Sequence, residues 1–515
     1  MQTTVQTLTS LNPATLEPIG EVAVSSPEQV REAVEDARRA QRMWARYTMG
    51  DRARLLRRAA AVVAQRADEL ARLAVAEGGK TLFEAYAAEV MPTAEAFRWT
   101  SRYAPRHLRP ERLRHSSPLF RLKRSWLHFE PRGVVGIIAP WNYPLSIPAT
   151  QVAFALAAGN AVVLKPSEFT PLIAEKLREV VEEAGFPSGL LQVVHGHGDV
   201  GAALVDARPD KVVFTGSVAT GRKVALAGAE RSVPVTLELG GKDAAYVRAD
   251  ADLDVAVAGV LFGSYFNAGQ TCAAVERVYV HAEVAEVFTE RLAAGARSLR
   301  VGDPSAPETD VGPMIHAGQR AVVERHVDEA ERLGASRLSG GPVETGLPGA
   351  FYAPAVLVDV PDDAALMREE TFGPVVPVRV VSSDEEAVRL ANDSEFGLTA
   401  SVWTRDTRAA RELAHRLEAG TVFVNDVLYS FASPDAPWHG HKSSGTGITH
   451  SRYGLHELSK VKHVSIDPGL LRFGYPWTPE LVSMMRNAVG ALYGTSGRAR
   501  AAVRAVRAGA RARLR

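Results

Sequence analysis

The chain's 515 residues are too many for a peptide ligand or a lone binding module and predict two or three domains of about 150 residues each. With 46% hydrophobic and 23% charged residues it has ample material for a core, which excludes disorder of the whole. Lys and Arg number 60 against 59 Asp and Glu, giving no footing for nucleic acid as a specific partner; yet eight arginines and no acid follow Glu480, so the last 35 residues carry about +8 and the rest about −7.

Met1 to Asn12 hold no basic cluster followed by an apolar stretch, so no secretory signal is expected. From Pro27 to Glu95 apolar residues recur at helical spacing, as in Val30, Val34 and Ala37 and in Leu55, Leu56, Ala59, Val62 and Val63. Phe120 to Phe129 alternates basic and apolar residues, the pattern of an exposed hairpin or an intersubunit strand. Gly133 to Ala139 is a continuous apolar run ending at Pro140, as a buried parallel strand would be. Strands then alternate with helices: Ala161 to Leu164, helix Leu172 to Ala184, Leu190 to Val194, helix Val200 to Ala207, Lys211 to Phe214, helix Gly221 to Ala229. This rhythm predicts an α/β fold built on a doubly wound parallel sheet. A second α/β series has helix Leu253 to Phe266, strand Val278 to Val280 and helix Val284 to Leu299, and ends in strand Thr421 to Asn425.

In the tail, Leu481, Met484, Met485, Val489 and Leu492 share a helical face, preceded by Phe473, Tyr475 and Trp477. Arg500, Arg504, Arg507, Arg511 and Arg515 then form a stripe at helical spacing. No uninterrupted run of about 18 apolar residues occurs, so a membrane-spanning helix is not expected. Weak contact with an anionic membrane surface stays open, beside a solvated tail whose apolar part packs on a neighbouring subunit.

Cys272 is the single cysteine, so no intrachain disulfide can form and the chain reads as cytoplasmic, with room for a peripheral position on the inner face of a membrane. A lone cysteine is ordinarily a buried, inert one. This one follows the polar, glycine-containing turn Phe266-Asn-Ala-Gly-Gln-Thr271, where its own amide can help hold the oxyanion made by thiol attack on a carbonyl. Glu238, between two leucines and before two glycines, is placed to have a raised pKa and serve as a base; pairing with Lys242 is the plainer alternative. Asn142 follows the strand ending at Ala139 and can donate to an oxyanion or simply form a turn. Gly196-His-Gly-Asp-Val-Gly201 has the dinucleotide spacing after a strand, but no acid lies about 20 residues on, and a tight turn accounts for it equally well. Phe214-Thr-Gly-Ser217 ends a strand and opens a helix, where Ser217 can cap and the amides behind it can hold phosphate. No metal-ligand pattern and no serine-hydrolase elbow is present.

Six stretches, in order, resemble the NAD(P)-dependent aldehyde dehydrogenase superfamily over about Leu11 to His463: Pro140-Trp-Asn-Tyr-Pro144, Ala157-Ala-Gly-Asn-Ala-Val-Val-Leu-Lys-Pro-Ser-Glu168, Phe214-Thr-Gly-Ser217, Leu237-Glu-Leu-Gly-Gly-Lys242, Gly269-Gln-Thr-Cys272 and Glu370-Thr-Phe-Gly-Pro374. The resemblance implies a Rossmann-like NAD-binding domain over 1–115 and 133–240, oligomerisation strands in 116–132 and 455–467, a catalytic domain over 241–454, and a basic extension over 468–515. It implies oxidation of an aldehyde to the acid, with Cys272 as nucleophile, Glu238 activating the deacylating water, and Asn142 with the Cys272 amide as oxyanion hole. NAD is the implied cofactor, with NADP a second option. Lys165 and Glu168 would hold the adenosine ribose, Gly216 and Ser217 the pyrophosphate, and Glu370 the nicotinamide ribose with Phe372 beside it. Trp141, Gly198 and Leu239 complete that cofactor set. Tyr143, Ile147, Thr150, Phe266, Thr271 and Ala273 would line the substrate tunnel; none is charged and two are aromatic, which suits uncharged aliphatic or aromatic aldehydes. Where relatives read Pro-Phe-Gly-Gly, this chain has Pro437-Trp-His-Gly440. A homodimer or homotetramer is expected. The competing readings are a coenzyme A-acylating relative, in which a thiol replaces water, and a catalytically silent scaffold of the same fold.

Overall fold

The computed structural model describes residues 6–467, 475 and 477–513; Phe473 and Arg515, singled out above, lie outside them. The chain divides into two compact units. The larger comprises residues up to Pro110 and His128–Lys462, the smaller Glu111–Leu127 and the residues from His463 onward.

The larger unit opens with a short antiparallel pair, Thr7–Leu11 with Pro18–Ala23, which the periodicity had not indicated. Helices follow over Pro27–Trp44, Met49–Gln65 and Ala67–Gly78, and again over Met91–His107, so the helical stretch extends past Glu95. Gly79 ends the third helix at φ 71°, a left-handed turn that suits glycine, and delivers Lys80 to the interior.

A six-stranded sheet comes next, in the order Gly445–Thr446, Val235–Glu238, Lys211–Thr215, Val134–Ile138, Ala161–Lys165, Leu191–Val193. All are parallel except the late-arriving Gly445–Thr446. Val134–Ile138 and Ala161–Lys165 are buried at every position, which explains their unbroken apolar sequence. The helix expected from Gly221 begins at Val218, because Ser217 caps it.

A seven-stranded sheet runs Ser336–Pro342, Tyr352–Val358, Val375–Val381, Val275–His281, Asp243–Val247, Thr399–Trp403, Thr421–Val424, with only the first strand antiparallel. Its faces have separate cores: Val278 and Val280 pack with Phe288, Leu292 and Trp403, whereas Tyr279 packs with Val323, Val327 and Leu357. Only Leu239 to Lys242 separate the last parallel strand of the first sheet from Asp243–Val247 of the second.

A three-stranded sheet is ordered Ser459–Ile466, Arg124–Pro131, Glu111–Leu113. The strand expected from Phe120 begins instead at Arg124. Phe120 donates to the Ser117 carbonyl and Lys123 to that of Phe120, two turns that use the backbone groups a ladder would need. The smaller unit ends in an α-hairpin, Pro479–Tyr493 and Arg498–Arg513. The single apolar face expected there is split. Leu481, Met484 and Leu492 are half-buried, while Met485 and Val489 are exposed.

Candidate functional site

In the six-stranded sheet, strand order reverses between Val134–Ile138 and Lys211–Thr215, and ligands of such sheets bind at the carboxyl ends beside that switch point. The segments leaving these two strands are Pro140-Trp-Asn142 and Thr215-Gly-Ser217, and both line one cleft with Leu239, Gly240, Gln319, Val322, Glu370 and Phe372. Gly216 and Gly240 leave its main chain bare. A Cβ on Gly216 would stand 2.7 Å from the Phe214 ring, and one on Gly240 would collide with the Glu370 carboxylate. The Ser217 hydroxyl accepts from the Thr220 amide at 3.3 Å, leaving earlier first-turn amides of helix Val218–Glu230 to face an anion. Phe372 meets Trp141 edge-on at 5.3 Å, and Glu370 accepts from the Gly241 amide at 3.1 Å. Burial and the Glu276 carboxylate push Glu370 up to about 8.

Lys165, Glu168 and Gly198 do not line this cleft; they gather at the next strand end. Lys165 is 3.6 Å from Glu168, which is 3.8 Å from His197, the residue before Gly198. Burial lowers Lys165; Glu168 lies below its usual value although burial opposes, because its own backbone amide and Lys165 favour the anion. Gly196 serves a tight turn, with φ 154° and no room for a Cβ beside Val200.

The turn before Cys272 is strained: Asn267, Ala268 and Gly269 have φ of 56°, 54° and 72°. Non-glycine residues in the left-handed region cost on the order of 1–3 kcal/mol each and persist where their surroundings over-determine them. Here the Asn267 amide donates to Glu84 at 2.6 Å, its side chain donates to the Asn142 and Gln270 carbonyls at 3.1 and 3.2 Å, and Gln270 accepts from the Ile315 amide at 2.9 Å. Asn142 is braced by the same network. Its Nδ2 donates to the Gln270 carbonyl at 3.2 Å, and its own carbonyl accepts from Lys80 at 3.0 Å. Fully buried Lys80 pairs with fully buried Glu89 at 3.2 Å, which accepts from the Leu145 and Ser146 amides at 3.1 and 2.8 Å.

Glu238 ends its strand, buried; Oε1 accepts from the Thr449 hydroxyl at 3.2 Å, and Oε2 has no partner among the described residues. Burial raises its pKa well above the ordinary carboxylate value. Lys242 is bound to Glu276 at 2.6 Å, so the pairing of Glu238 with Lys242 does not occur. Burial, with Asp243, Glu370 and Glu238 adding to it, likewise pushes the Cys272 thiol up.

Cys272 and Glu238 line both the cleft and an inner pocket walled by Tyr143, Ser146, Ile147, Thr150, Gln151, Thr271, Phe431, Trp438, Thr449 and His450. Of the six expected tunnel residues, Tyr143, Ile147, Thr150 and Thr271 are there and two are not. The Phe266 ring lies 4.8 Å from that of Phe262, and Phe266 and Ala273 are buried in the apolar cluster that also holds Tyr143 and Trp438. Phe431, Gln151, Thr449 and His450 were missed: they sit in no contiguous motif, and nothing local marks them. Trp438 had one signal, the departure at Pro437-Trp-His-Gly440. The Tyr143 ring is already engaged, stacked on Phe431 at 5.1 Å, with the Lys80 ammonium 5.6 Å from its centre and its hydroxyl 2.6 Å from that of Thr271.

The family model described as aldehyde dehydrogenase family matches residues 1–464. A betaine aldehyde dehydrogenase from Rhizobium leguminosarum bv. trifolii is 39% identical over 470 residues, 90% of this chain and 95% of that protein. The NAD+ complex of an aldehyde dehydrogenase from Bacillus cereus superposes with a TM-score of 0.85 at 35% identity, covering 90% of this chain and 94% of that one. For the NAD-dependent aldehyde dehydrogenase from Sinorhizobium meliloti the TM-score is 0.87 at 36% identity, covering 92% and 93%.

Proposed function

The chain belongs to the aldehyde dehydrogenase family, and from that premise we propose that it oxidises an uncharged aldehyde to its carboxylic acid with NAD, through a covalent adduct on Cys272. One observation carries this reading: Cys272 and Glu238 stand where the switch-point cleft meets the inner pocket, so both face a cofactor on one side and a substrate on the other.

The bare main chain at Gly216 and Gly240, the helix start behind Ser217 and the Glu370 carboxylate fit a dinucleotide. Gly216 and Ser217 would take the pyrophosphate. Glu370 would take the nicotinamide ribose, with Phe372, Trp141 and Leu239 packed beside it, and Lys165 and Glu168 the adenosine ribose near Gly198. When bound, the nicotinamide accepts the hydride that leaves the substrate carbon.

The protein's own part begins with a thiol held protonated by burial. Its proton passes to solvent, and the sulfur adds to the carbonyl carbon. Asn142 Nδ2 and the Cys272 amide donate to the resulting oxyanion; one such donor is typically worth about 3–4 kcal/mol in the transition state. Loss of hydride leaves a thioester on Cys272. Glu238 then removes a proton from water, hydroxide adds to the thioester carbon, and collapse releases the acid and the thiol. A base poised over this thioester favours hydrolysis over acyl transfer to coenzyme A.

The pocket supports an uncharged tail. The curated relatives are named betaine aldehyde dehydrogenases, but here Tyr143 has Lys80 and Phe431 at its ring, so a quaternary ammonium would find that aromatic surface occupied and a cation behind it. Residues 1–115 and 133–240 form the NAD-binding domain in this reading and 241–454 the catalytic domain. A homodimer or homotetramer assembles through strands in 116–132 and 455–467, because the edge strand Ser459–Ile466 exposes Val461, Val464 and Ile466. NADH formation with hexanal, benzaldehyde, betaine aldehyde and succinate semialdehyde, followed by acid analysis, is the test. No NADH with any aldehyde overturns the activity, acyl-coenzyme A as the product overturns hydrolysis, and an optimum on betaine aldehyde overturns the tail assignment.

A further inference from the structure

The helices Pro479–Tyr493 and Arg498–Arg513 lie beyond the 1–464 match of the family model and take no part in the chemistry above. They pair through small residues. A Cβ on Gly490 would stand 3.4 Å from that of Ala501, and one on Gly509 would stand 2.9 Å from Met484 Sδ. This contact uses only part of the first helix's apolar surface. Val482, Met485, Val489 and Tyr493, spaced three or four residues apart, remain 52, 40, 56 and 70% exposed. Eleven steps of about 1.5 Å from Val482 to Tyr493 make this an open apolar stripe about 16 Å long. Tyr475 and Trp477, their rings 4.8 Å apart, are exposed just before it.

The second helix adds charge. Arg500, Arg504, Arg507 and Arg511 recur every three or four residues and are all exposed, so they form a cationic stripe of similar length. Val503 and Val506, 52 and 73% exposed, lie among them. Apolar stripe, cationic stripe and aromatic pair together are the chemistry of an element lying in a bilayer interface, with apolar groups toward the acyl chains and guanidinium groups at the phosphates. No helix of the described residues is long and apolar enough to cross a membrane. We propose that this hairpin is a peripheral docking element that seats on an anionic lipid surface. Self-pairing of two hairpins would bring like charges together with no acid after Glu480 to offset them, and a nucleic acid would leave the apolar stripe in water.

The test is co-sedimentation of the full chain, and of a chain ending at Asp467, with vesicles of phosphatidylglycerol and phosphatidylcholine and with phosphatidylcholine alone. The full chain is expected to sediment with the anionic vesicles and to be released as ionic strength rises from about 0.1 to about 1 M, which shortens the screening length from about 10 to about 3 Å. The shortened chain should stay in solution. Combining Arg504→Gln, Arg507→Gln and Arg511→Gln should lower partitioning on the order of 100-fold, about five-fold per charge. Val489→Asp should weaken it with every arginine in place, which a purely ionic contact would not show. Equal sedimentation of the two chains overturns the proposal, as does a tail whose removal changes only the oligomeric mass by light scattering. Dehydrogenase turnover of the full chain without vesicles reports separately on the active-site reading.

Discussion

The cleft and the inner pocket share Cys272 and Glu238 but are built differently. The cleft is made of strand ends and bare main chain, and most of its lining comes from short contiguous motifs: Pro140 to Asn142, Thr215 to Ser217, Glu238 to Gly240, and Glu370 with Phe372. The pocket is made of single side chains brought from far apart, with Tyr143 and Ile147 meeting Thr271, Phe431, Trp438 and Thr449. A dinucleotide's pyrophosphate does not change with the aldehyde oxidised, so backbone geometry can serve it; a variable aldehyde tail needs walls that change residue by residue. Substitutions on the two sides should therefore separate cofactor use from aldehyde use.

The largest effect is expected at the shared residues. Cys272→Ala should lower turnover on the order of 10⁴-fold or more while leaving NADH binding, followed by fluorescence, intact. Unchanged steady-state rates would remove the thiol from the mechanism. Glu238→Gln should keep the first burst of NADH and slow acid release about 10²- to 10⁴-fold. Because burial holds the Glu238 proton more tightly than usual, its carboxylate becomes available only as pH rises, so wild-type turnover should climb with pH on the alkaline side of the ordinary carboxylate range. A steady-state limb lying at pH 4 to 5 would contradict that environment.

Lys80→Met probes the brace behind Asn142. Stranding buried Glu89 without its partner should cost about 3–5 kcal/mol of stability, read by thermal unfolding. Pairing it with Glu89→Gln should recover part of this, and kcat should stay low in both because the Asn142 carbonyl loses its Lys80 donor. Full kcat in the double variant would break the link. Trp438→Ala should raise KM for the aldehyde several-fold and leave KM for NAD unchanged, removing one of the pocket's aromatic walls. A modest gain is expected from Glu168→Gln. Removing one carboxylate near Lys165 should improve kcat/KM with NADP by roughly tenfold, since a like charge at about 4 Å costs a few kcal/mol at most and solvent screens it. No change would place Glu168 away from the 2′ position.

Much of the fold is legible in the chain because its signals are local. The buried runs at Val134–Ile138 and Ala161–Lys165, the Ser217 cap and the amphipathic helices each state their conformation within a few residues. The same holds for Cys272, Glu238 and Asn142, whose neighbouring glycines and prolines shape their own turns. Phe266 and Ala273, also expected in the tunnel, are not among the residues that wall the inner pocket. Both lie within six residues of Cys272, yet both are buried in the apolar cluster that holds Val275, Val278 and Val280. Sequence proximity cannot encode that.

The amino-acid sequence alone determined the α/β class and the cofactor-side motifs and singled out Cys272 and Glu238 as candidates, because these depend on backbone geometry and on residues acting within their own segments. Only the tertiary structure decided the rest. It bound Lys242 to Glu276 and left Glu238 Oε2 without a hydrogen-bond partner among the described residues. It carried Lys80 across 62 residues to the Asn142 carbonyl. It brought Phe431 and Trp438 to a pocket whose other wall begins at Tyr143, and split the C-terminal apolar face into a half that packs and a half that stays in water. Each of these turns on which buried charge finds a partner, or which apolar face finds a neighbour, and that is fixed by close packing between segments distant in the chain.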